Sequence, residues 1–422
     1  MRVAVVGGGG REHALAAALA ASPQVEQVFA VPGNPGSGAV ASNVAGIDPL
    51  DGKALADWAG SEQIDLVVVG PEAPLVAGVA DVLAAEGHAV FGPTAAAATI
   101  EGSKSFAKQV MAAAGVPTAR AEVFTDPATA TKALDDFGPP WVVKADGLAA
   151  GKGVTVTSDP AVARAAVQAA LVDRVHGAAG AEILLEEHLS GPEASLFAVS
   201  DGRGVVPLAP ARDYKRVGDG DRGPNTGGMG AYSPLPDLAD GEVERIRTAV
   251  LEPVVAELAR RGIPYRGLLY AGLVLTADGP KVLEFNCRFG DPETQALLPR
   301  LRGDLAGLLA AAARGDLAGA SVRWDQRACV TVVLASGGYP GPYRSGLPVT
   351  GLEAAAATGA HLYHAGTALD AGGQVVTAGG RVLAVSALGD GLPAARALAY
   401  EAAALVRFDR AHYRRDIAAT TG

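Results

Sequence analysis

One long block of the chain, residues 213–234, alternates charged residues with glycines in a pattern that favours ligand chemistry. It begins with Asp213 and Lys215, and glycines recur through it beside further Asp, Arg, Pro and Asn residues. Glycines at this density disfavour a helix, and Pro and Asp disfavour a strand, so the sequence predicts a long loop. Such loops are uncommon unless they carry function, and glycine lets the backbone approach a ligand closely. The alternative is a flexible, solvated loop.

A second block, residues 284–293, has the spacing of a metal site. Alternate residues of a strand point to the same face, so a strand here places Glu284, Asn286 and Arg288 in one row. A carboxylate and a carboxamide oxygen, completed by water and phosphate, suit Mg²⁺, and Arg288 can hold a carboxylate or a phosphate with two hydrogen bonds. The alternative is a solvated edge strand, which is disfavoured because burying such residues without partners is costly.

Lys144 stands at the end of an apolar strand and is followed by the glycine-rich run 147–153. This arrangement suits a flap that folds over a polyphosphate while Lys144 neutralises its charge. The run is not a Walker A loop, because Asp146 occupies the position of its first glycine and Gly153 replaces the final Ser or Thr. The alternative is a flexible hairpin.

The glycines at 7–10 join a strand to a helix near the N-terminus and precede Arg11. Backbone N–H groups and the helix N-terminus favour an anion here. The dinucleotide pattern G-x-G-x-x-G fails, because Glu12 or His13 stands where its last glycine belongs. The sequence therefore predicts a monophosphate site to which Arg11 adds charge. The alternative is a tight turn with a capping Glu12.

Strand–helix alternation over the first hundred residues predicts a parallel α/β sheet, with ligands bound beyond the carboxyl ends of its strands. The strands are predicted at 3–6, 28–31, 66–69 and 89–91, and the helices at 12–21, 52–61 and 76–86. A smaller α+β region follows, with a helix at 103–114, strands at 141–144, 154–157 and 183–187, and a hairpin at 268–286. The tail is predicted to contain strands at 329–334 and 381–386 and a helix at 394–406.

The composition is that of an ordinary globular chain, and 422 residues are enough for about two to four domains. The formal net charge of −10 argues against a large nucleic-acid interface, which needs a basic face. The two cysteines, Cys287 and Cys329, cannot build a disulfide framework, and no long apolar run predicts a membrane span. These features predict a cytoplasmic protein that binds neither nucleic acid nor membrane.

Together these blocks resemble the ATP-grasp superfamily and, within it, the glycinamide ribonucleotide synthetases. The resemblance runs nearly end to end, through residues 8–15, 69–75, 91–94, 101–104, 144–153, 215–234, 284–294, 337–341 and 364–367. It implies an α/β fold with an N-terminal parallel α/β domain at 1–101, a two-lobed ATP-grasp α+β domain at 102–325, and a small C-terminal α+β domain at 326–422. It also implies a mobile ATP-lid subdomain at about 120–188.

The resemblance implies a reaction of purine biosynthesis. ATP, glycine and 5-phosphoribosylamine give glycinamide ribonucleotide, ADP and phosphate through glycyl phosphate. The implied cofactors are ATP and Mg²⁺ or Mn²⁺, and the implied protein is a monomer. Water would destroy the acyl phosphate, so a closing flap is expected, and the run 147–153 is the candidate.

The resemblance also implies a role for each matching residue. The ATP-binding residues would be Lys104, Lys144, Gly147, Gly151, Lys152, Gly153, Glu186, Glu187 and Glu193, with Glu186 on the adenine amino group and Glu193 on the ribose. Glycine and the acyl phosphate would be oriented by Arg288, Asp291, Asp213 and Lys215. The phosphoribosylamine would be held by Gly9, Gly10, Arg11, Asn34 and Glu72, and the metal by Glu284 and Asn286.

Two details of these roles stay open. Adjacent residues of a strand face opposite ways, so at most one of Glu186 and Glu187 is expected to point into the site. Many ATP-grasp enzymes also carry a metal-binding acid on the strand before the metal strand. Here the corresponding strand, 268–275, has none, so the ligands of a second metal are open, and Asp213 could contribute.

Three other functions remain as alternatives. An ATP-grasp ligase for a different acid or amine is disfavoured by the N-terminal phosphate loop and the 284–294 block. An NAD-dependent oxidoreductase is disfavoured by the broken glycine pattern and by the lack of an acid for the ribose after the second strand. A non-catalytic nucleotide-sensing module is disfavoured because both Lys144 and Glu284 are retained.

Overall fold

A five-stranded parallel sheet forms the N-terminal part of the protein, as the alternating pattern predicts. The computed structural model describes residues 1–148, 153–175 and 177–419. The strands are β1 (Arg2–Gly7), β2 (Gln27–Pro32), β3 (Ser42–Asn43), β4 (Leu66–Val69) and β5 (Val90–Phe91), in the order β3-β2-β1-β4-β5. The helices are α1 (Gly10–Ala20), α2 (Gly52–Ser61), α3 (Glu72–Val76), α4 (Val79–Ala85) and α5 (Ala95–Gly102). The apolar central strands are buried, as parallel strands covered by helices on both faces must be.

The chain adds strands first on one side of β1 and then on the other, since β2 and β3 lie on one side and β4 and β5 on the other. Open α/β sheets bind ligands at this switch point, beyond the carboxyl ends of the strands. The N-terminal glycine run follows β1, and Glu72 begins the helix that follows β4, so both predicted substrate segments lie at this edge. One helix prediction is wrong: Gly78, with φ of 85°, separates α3 from α4 where a single helix at 76–86 is predicted.

A small lobe with its own core follows the N-terminal domain. Helix α6 (Lys104–Ala114) leads into the strands β6 (Ala121–Phe124), β7 (Trp141–Ala145), β8 (Val154–Thr157) and β9 (Ile183–Glu186), ordered β6-β9-β7-β8. Helices α7 (Pro127–Phe137) and α8 (Pro160–Leu171) pack on the sheet. The core formed by Leu134, Trp141, Val167 and Ile183 is separate from the other cores.

A large lobe shares one hydrophobic core with the N-terminal sheet. It contains β10 (Glu193–Asp201), β11 (Val205–Pro207), β16 (Arg266–Thr276) and β17 (Gly279–Asn286) in the order β11-β10-β16-β17, and β16 and β17 form the predicted hairpin. Helices α9 (Glu242–Ile246) and α10 (Glu252–Arg260) are joined by one π-helical turn, Arg247–Leu251. Val6 of β1, Leu269 of β16 and Val282 of β17 lie in the shared core, which ties the metal strand to the N-terminal domain.

The 213–234 block is not the irregular loop that its composition predicts. It contains β12 (Arg212–Asp213), β13 (Arg216–Gly218), β14 (Arg222–Asn225) and β15 (Gly230–Ser233), with β13 and β14 paired as a hairpin. Strand β15 is fully buried and pairs with a strand of the C-terminal region. A Cβ at Gly230 would lie 2.7 Å from the carbonyl oxygen of Thr331, so this glycine serves close backbone packing rather than flexibility.

The C-terminal sheet therefore contains strands from two distant parts of the chain. Strands β20 (Ala328–Ala335), β21 (His361–His364) and β24 (Arg381–Gly389) join β12 and β15 in the order β12-β15-β20-β24-β21. The remaining strands are β18 (Leu301–Arg302) with β19 (Arg323–Trp324), and β22 (Thr367–Leu369) with β23 (Val375–Thr377). The remaining helices are α11 (Glu293–Leu297), α12 (Leu305–Arg314), α13 (Leu352–Ala357) and α14 (Leu392–Leu405). Within the described ranges, no helix is both long and apolar enough to cross a bilayer.

Candidate active site

The row of side chains predicted on β17 and just beyond it is present. Glu284, Asn286 and Arg288 are half-buried, whereas Phe285 and Cys287 between them are buried on the opposite face. This alternation is the ordinary consequence of a strand with one face in the core. Charged side chains of the N-terminal domain and of both lobes converge on this half-buried face, among them Glu72, Lys144 and Lys215. We call the space between them the cleft.

Glu284 is the carboxylate at the centre of this cleft. Burial would raise its pKa, but the surrounding cations outweigh burial and lower it. These cations are Lys215, Lys144, Lys104 and Arg288, and the amino group of Lys215 lies 4.0 Å from Oε1 of Glu284. An ionised carboxylate among cations is suited to hold a divalent ion that is itself shared with phosphate oxygens.

Asn286 can add an oxygen ligand to this site. The orientation of its amide is assigned from the possible hydrogen bonds. In this orientation, Nδ2 donates to the Phe285 carbonyl oxygen at 3.3 Å and to Oε1 of Glu101 at 3.1 Å. The amide oxygen is then the atom left for a ligand. Among the described residues, no group of three or more His, Cys, Asp or Glu side chains could hold a metal alone. Glu284 and Asn286 therefore fit a Mg²⁺-like ion whose other ligands are water and phosphate.

Lys144 and Glu186 form a buried ion pair on the small lobe. The amino group of Lys144 lies 2.7 Å from Oε2 of Glu186 and donates to the Leu283 carbonyl oxygen at 3.2 Å. Lys108 approaches the other oxygen, Oε1, at 3.4 Å, and burial lowers the pKa of Lys108. Glu187 is exposed and accepts a hydrogen bond from the backbone N–H of Arg120, so of the two acids only Glu186 faces this cluster.

Lys104 and the start of the glycine-rich run meet at the first turn of α6. The amino group of Lys104 donates to the Gly147 carbonyl oxygen at 3.1 Å, and burial lowers the pKa of Lys104. Asp146 accepts from the backbone N–H of Ser105 at 2.6 Å, which fixes the end of β7 to the helix N-terminus. The carbonyl oxygen of Gly153 accepts from the backbone N–H of Ala145 at 2.8 Å. Gly151 and Lys152, and with them most of the predicted flap, lie outside the described residues.

Lys215 connects the 213–234 block to the cleft. Its amino group lies 2.7 Å from Oε2 of Glu193. Burial would lower the pKa of Lys215, but Glu193, Asp213 and Glu284 outweigh burial and raise it well above its usual range. Burial raises the pKa of Asp213 to about 7, against the opposing effect of Lys215. The block therefore presents a firmly charged amine beside a carboxyl group whose pKa is raised by burial.

Arg288 is held between two carboxylates from the N-terminal domain. Its Nε donates to Oε2 of Glu72 at 3.0 Å, and its Nη2 lies 3.1 Å from Oε1 of Glu101. Burial would raise the pKa of Glu72, but Arg288 and Arg11 outweigh burial and lower it to about 2. The guanidinium is thereby fixed in orientation at the junction of the sheet edge and the metal strand.

The N-terminal glycine run has both a capping glutamate and an arginine. Oε2 of Glu12 accepts from the backbone N–H of Gly9 at 2.7 Å, so the capping alternative is present. Arg11 is buried, with its Nε 2.5 Å from Oε1 of Glu12 and its Nη1 donating to the Phe289 carbonyl oxygen at 3.1 Å. The N-terminus of α1 therefore lies next to Arg11, but part of the charge of Arg11 is neutralised internally.

Asn34 supports this loop through its side chain. Its Nδ2 donates to the Gly8 carbonyl oxygen at 2.9 Å and to the His364 carbonyl oxygen at 2.8 Å. Its Oδ1 accepts from the backbone N–H groups of Gly36 and Ser37, both at 2.9 Å. These bonds occupy its amide, so Asn34 shapes the loop and links it to the C-terminal domain.

Asp291 lies where the three parts of the molecule meet. Its Oδ1 accepts from Nε2 of Gln295 at 2.8 Å and lies 3.3 Å from Nη1 of Arg381. Burial would raise the pKa of Asp291, but Arg381 and Arg11 outweigh burial and lower it. Asp291 is therefore a charged group that faces arginines from both the N-terminal and C-terminal regions.

Sequence reasoning missed three charged residues of this site. Lys108 follows Lys104 by one helical turn, and that i,i+4 spacing was the available signal. Glu101 lies in the 101–104 block that carries part of the family resemblance, and this block also contains Lys104. Arg381 gave no local signal, because its contact with Asp291 joins residues far apart in the chain.

Comparison with known proteins agrees with this architecture along the whole chain. Family models for phosphoribosylglycinamide synthetase match as the N domain at residues 1–101, the ATP-grasp (A) domain at 102–294 and the C domain at 329–420. A phosphoribosylamine–glycine ligase of Streptomyces coelicolor is 55% identical, and one of Mycobacterium leprae is 52% identical. The alignments cover 99% of this chain in both cases, and 99% and 97% of those proteins respectively.

Solved structures extend this likeness to the fold. The crystal structure of phosphoribosylamine–glycine ligase from Thermotoga maritima matches with a TM-score of 0.84 at 33% identity, covering 99% of this chain and 100% of that chain. A biotin carboxylase from Campylobacter jejuni shares the fold alone, with a TM-score of 0.73 at 14% identity over 97% of this chain and 92% of that chain. The chain therefore belongs to the phosphoribosylglycinamide synthetase family and is an ATP-grasp ligase.

Proposed function

We propose that this cleft joins glycine to 5-phosphoribosylamine at the expense of ATP, giving glycinamide ribonucleotide, ADP and phosphate. One observation carries the proposal: cations from the first turn of α6, the small lobe, the 213–234 block and the end of the metal strand surround the carboxylate of Glu284. This arrangement suits a polyphosphate and a metal ion at one end of the cleft. The sheet edge with its helix N-terminus suits a phosphorylated amine at the other end.

The chemistry requires activation of a poor electrophile. An oxygen of the glycine carboxylate attacks the γ-phosphorus of ATP, the bond from that phosphorus to the bridging oxygen breaks, and ADP leaves. The amine nitrogen of phosphoribosylamine then attacks the carbonyl carbon of glycyl phosphate, releasing phosphate and a proton. Both steps build negative charge on phosphate oxygens, so fixed cations supply much of the rate enhancement.

Lys104 and Lys144 are assigned to the ATP phosphates, together with Gly147 and Gly153. Glu193 is assigned to the ribose and Glu186 to the adenine amino group. Glu186 already contacts Lys144 and Lys108, but a carboxylate has about four acceptor positions, so an additional donor is compatible with both lysines. The exposed Glu187 lacks this support and is a weaker candidate.

Glu284 and Asn286 are assigned to a divalent cation, either Mg²⁺ or Mn²⁺. When bound, such an ion neutralises charge on the phosphates and on the leaving oxygen. The donor set supports this assignment, since an ionised carboxylate and an amide oxygen are hard ligands. Asp213 remains the candidate for a second ion.

Arg288 and Lys215 are assigned to the glycine carboxylate and the acyl phosphate, with Asp291 and Asp213 beside them. Gly9, Gly10, Arg11 and Glu72 are assigned to phosphoribosylamine, and Asn34 shapes the loop that they line. The support is positional: Arg288 and Arg11 both approach Oε2 of Glu72, at 3.0 and 3.9 Å. The residues assigned to glycine and those assigned to phosphoribosylamine therefore meet at the carboxylate of Glu72.

Three broader features belong to the same proposal. The domain limits are 1–101, 102–325 and 326–422, and the small lobe at about 120–188 is the part that moves over ATP. The separate core of this lobe supports such a motion. We further propose that the protein acts as a monomer in the cytoplasm.

The decisive experiment measures ADP release from ATP and Mg²⁺ with phosphoribosylamine generated in situ, with and without glycine. Release that needs both glycine and the amine is the expected result. Release that ignores glycine but responds to another carboxylate would keep the fold and overturn the substrate. Repeating the assay with Mn²⁺ in place of Mg²⁺ determines the preferred metal.

A further inference from the structure

The C-terminal segment 412–418, called the tail segment below, wraps around the β13–β14 hairpin of the 213–234 block. Nε2 of His412 lies 2.9 Å from the Val217 carbonyl oxygen, and the backbone N–H of Arg415 donates to Oδ1 of Asp219 at 2.7 Å. The backbone N–H of Ala418 donates to the hydroxyl of Tyr214 at 2.9 Å. The tail segment therefore contacts the hairpin at its tip, along its side and at its base.

Arg414 is the central residue of this contact and is almost completely buried, with 1% of its surface exposed. Its Nε and Nη2 donate to the carboxylate of Asp416 at 2.8 and 2.6 Å. Its Nη1 donates to Oδ1 of Asp221 at 2.7 Å and to the Arg216 carbonyl oxygen at 3.1 Å. Asp416 in turn accepts from the backbone N–H of Gly220 at 2.8 Å. A guanidinium with this many directed bonds fixes the orientation of its partners.

The position of Arg414 relative to Lys215 gives this network a functional meaning. The guanidinium carbon lies 4.7 Å from the ring centroid of Tyr214, and Nη1 bonds the carbonyl oxygen of Arg216. Arg414 thus holds both chain neighbours of Lys215. The amino group of Lys215, the residue between these two neighbours, lies 2.7 Å from Oε2 of Glu193.

We propose that Arg414 is a positioning residue that holds Lys215 in the cleft for the glycine carboxylate and its acyl phosphate. The proposal rests on the function assigned to Lys215 above. Catalysis is sensitive to small displacements, since a shift of about 1 Å in a catalytic group can cost about 10²-fold in rate. The tip and most of the second strand of the β13–β14 hairpin are exposed, and the contact with the tail segment adds to the backbone hydrogen bonds that Tyr214 and Lys215 make with residues 226–230.

The test compares Arg414→Met with two further variants of the full-length protein. Asp221→Asn removes one ion-pair partner and keeps a residue type that tolerates the φ of 53° at this position. Arg415→Met is the matched control, because the side chain of Arg415 is exposed on the same segment. For each variant, kcat and the KM values for glycine and ATP are measured, together with ADP affinity by calorimetry and the melting temperature.

Arg414→Met is expected to lower kcat/KM for glycine by on the order of tenfold or more and ADP affinity by a clearly smaller factor, since Lys215 also pairs with Glu193, which is assigned to the ribose. Asp221→Asn is expected to give a smaller loss in the same parameter, and Arg415→Met none. In a Lys215→Met background, Arg414→Met is expected to have almost no further effect, since residues that act as one unit are not additive. Backbone amides of residues 214–226 should also exchange faster with solvent in Arg414→Met.

Three results would overturn the positioning role. The first is wild-type glycine kinetics in Arg414→Met. The second is an equal loss of ADP affinity and glycine turnover, which would indicate general destabilisation. The third is an Arg414→Met effect that is undiminished in the Lys215→Met background. If the wild-type protein releases ADP without needing glycine, the proposed function is wrong rather than the positioning role. The amide-exchange measurement then still tests whether Arg414 orders residues 214–226.

Discussion

The amino group of Lys144 lies 2.7 Å from Oε2 of Glu186, and both side chains are more than nine-tenths buried, at 7% and 2% exposure. Lys108 lies on the other carboxylate oxygen, so one negative charge compensates two ammonium groups. Buried charges are tolerated only when they are paired, and removing one partner leaves the others uncompensated. The contact therefore couples the stability of the small lobe to the geometry of the proposed phosphate site.

Replacing Glu186 with Gln is expected to lower the free energy of unfolding by about 3 kcal/mol, because the buried amine of Lys144 and the half-buried amine of Lys108 lose their counter-charge. Urea denaturation of the purified protein measures the change. Glu187→Gln is the control, since Glu187 is exposed and the expected change is within about 0.5 kcal/mol. Equal stability of the two variants would contradict the buried pairing.

Replacing Glu284 with Gln is expected to lower turnover on the order of 10²-fold, because the cleft loses the charged ligand of its metal. Steady-state ADP release over a range of Mg²⁺ concentrations measures the effect. Removing divalent ions with a chelator should abolish ADP release by the wild-type protein. Glu353→Gln, at an exposed position on α13, is the control. Turnover near the wild-type value in Glu284→Gln would remove the metal assignment.

Replacing Arg288 with Lys is expected to lower kcat on the order of 10²-fold although the charge is kept. The guanidinium bonds Glu72 and Glu101 at once, and a single ammonium group cannot reproduce that fork. Single-turnover measurements with saturating ATP separate this loss from a change in nucleotide binding. Full activity of Arg288→Lys would show that only the charge at this position matters.

The buried side chains of His13 and His364, whose ring centroids lie 5.9 Å apart, predict a pH dependence of stability. Burial, with His364 as a second cause, lowers the pKa of His13 to about 3, and burial lowers that of His364 to about 4. Both stay neutral in the folded protein at pH values well above 4, whereas each histidine of the unfolded chain binds a proton below its ordinary pKa of 6.5. Their contribution is therefore complete above pH 6.5 and is lost as the pH falls below it, by up to about 1.4 kcal/mol per pH unit for each histidine.

Urea denaturation at a series of pH values below about 6.5 checks this expectation. His13→Asn should flatten the dependence by the share of one histidine, because Asn has no proton to gain. The exposed His188→Asn is the control and should leave the slope unchanged. An identical slope in wild type and His13→Asn would show that another group controls the acid sensitivity.

The sequence predicted well those features that depend on local spacing. The row Glu284, Asn286 and Arg288 follows from the period of a strand, and the glycine run after β1 follows from the strand–turn–helix pattern. Both patterns can be recognised within a dozen residues. Most predicted elements lie within two residues of the observed ones, and the strand predicted at 66–69 coincides with β4 (Leu66–Val69).

Features that depend on distant pairing could not be predicted in this way. The glycines of β15 indicated a loop, because nothing local shows that Gly230 must fit against the backbone of Thr331. The pairing of Asp291 with Arg381, and of Arg288 with Glu101, likewise joins segments far apart in the chain. Composition gives the residue types in these pairs but not their partners.

The pairing of β15 with β20 also has a consequence for the order of events on the ribosome. Strand β15 (Gly230–Ser233) is synthesised well before β20 (Ala328–Ala335), the strand with which it pairs in the C-terminal sheet. Until that strand emerges, β15 has β12 but not β20 as a neighbour in the sheet, and domains generally fold as units. A nascent chain therefore completes the C-terminal sheet, which includes β12 with Asp213, only after Ala335 has been synthesised.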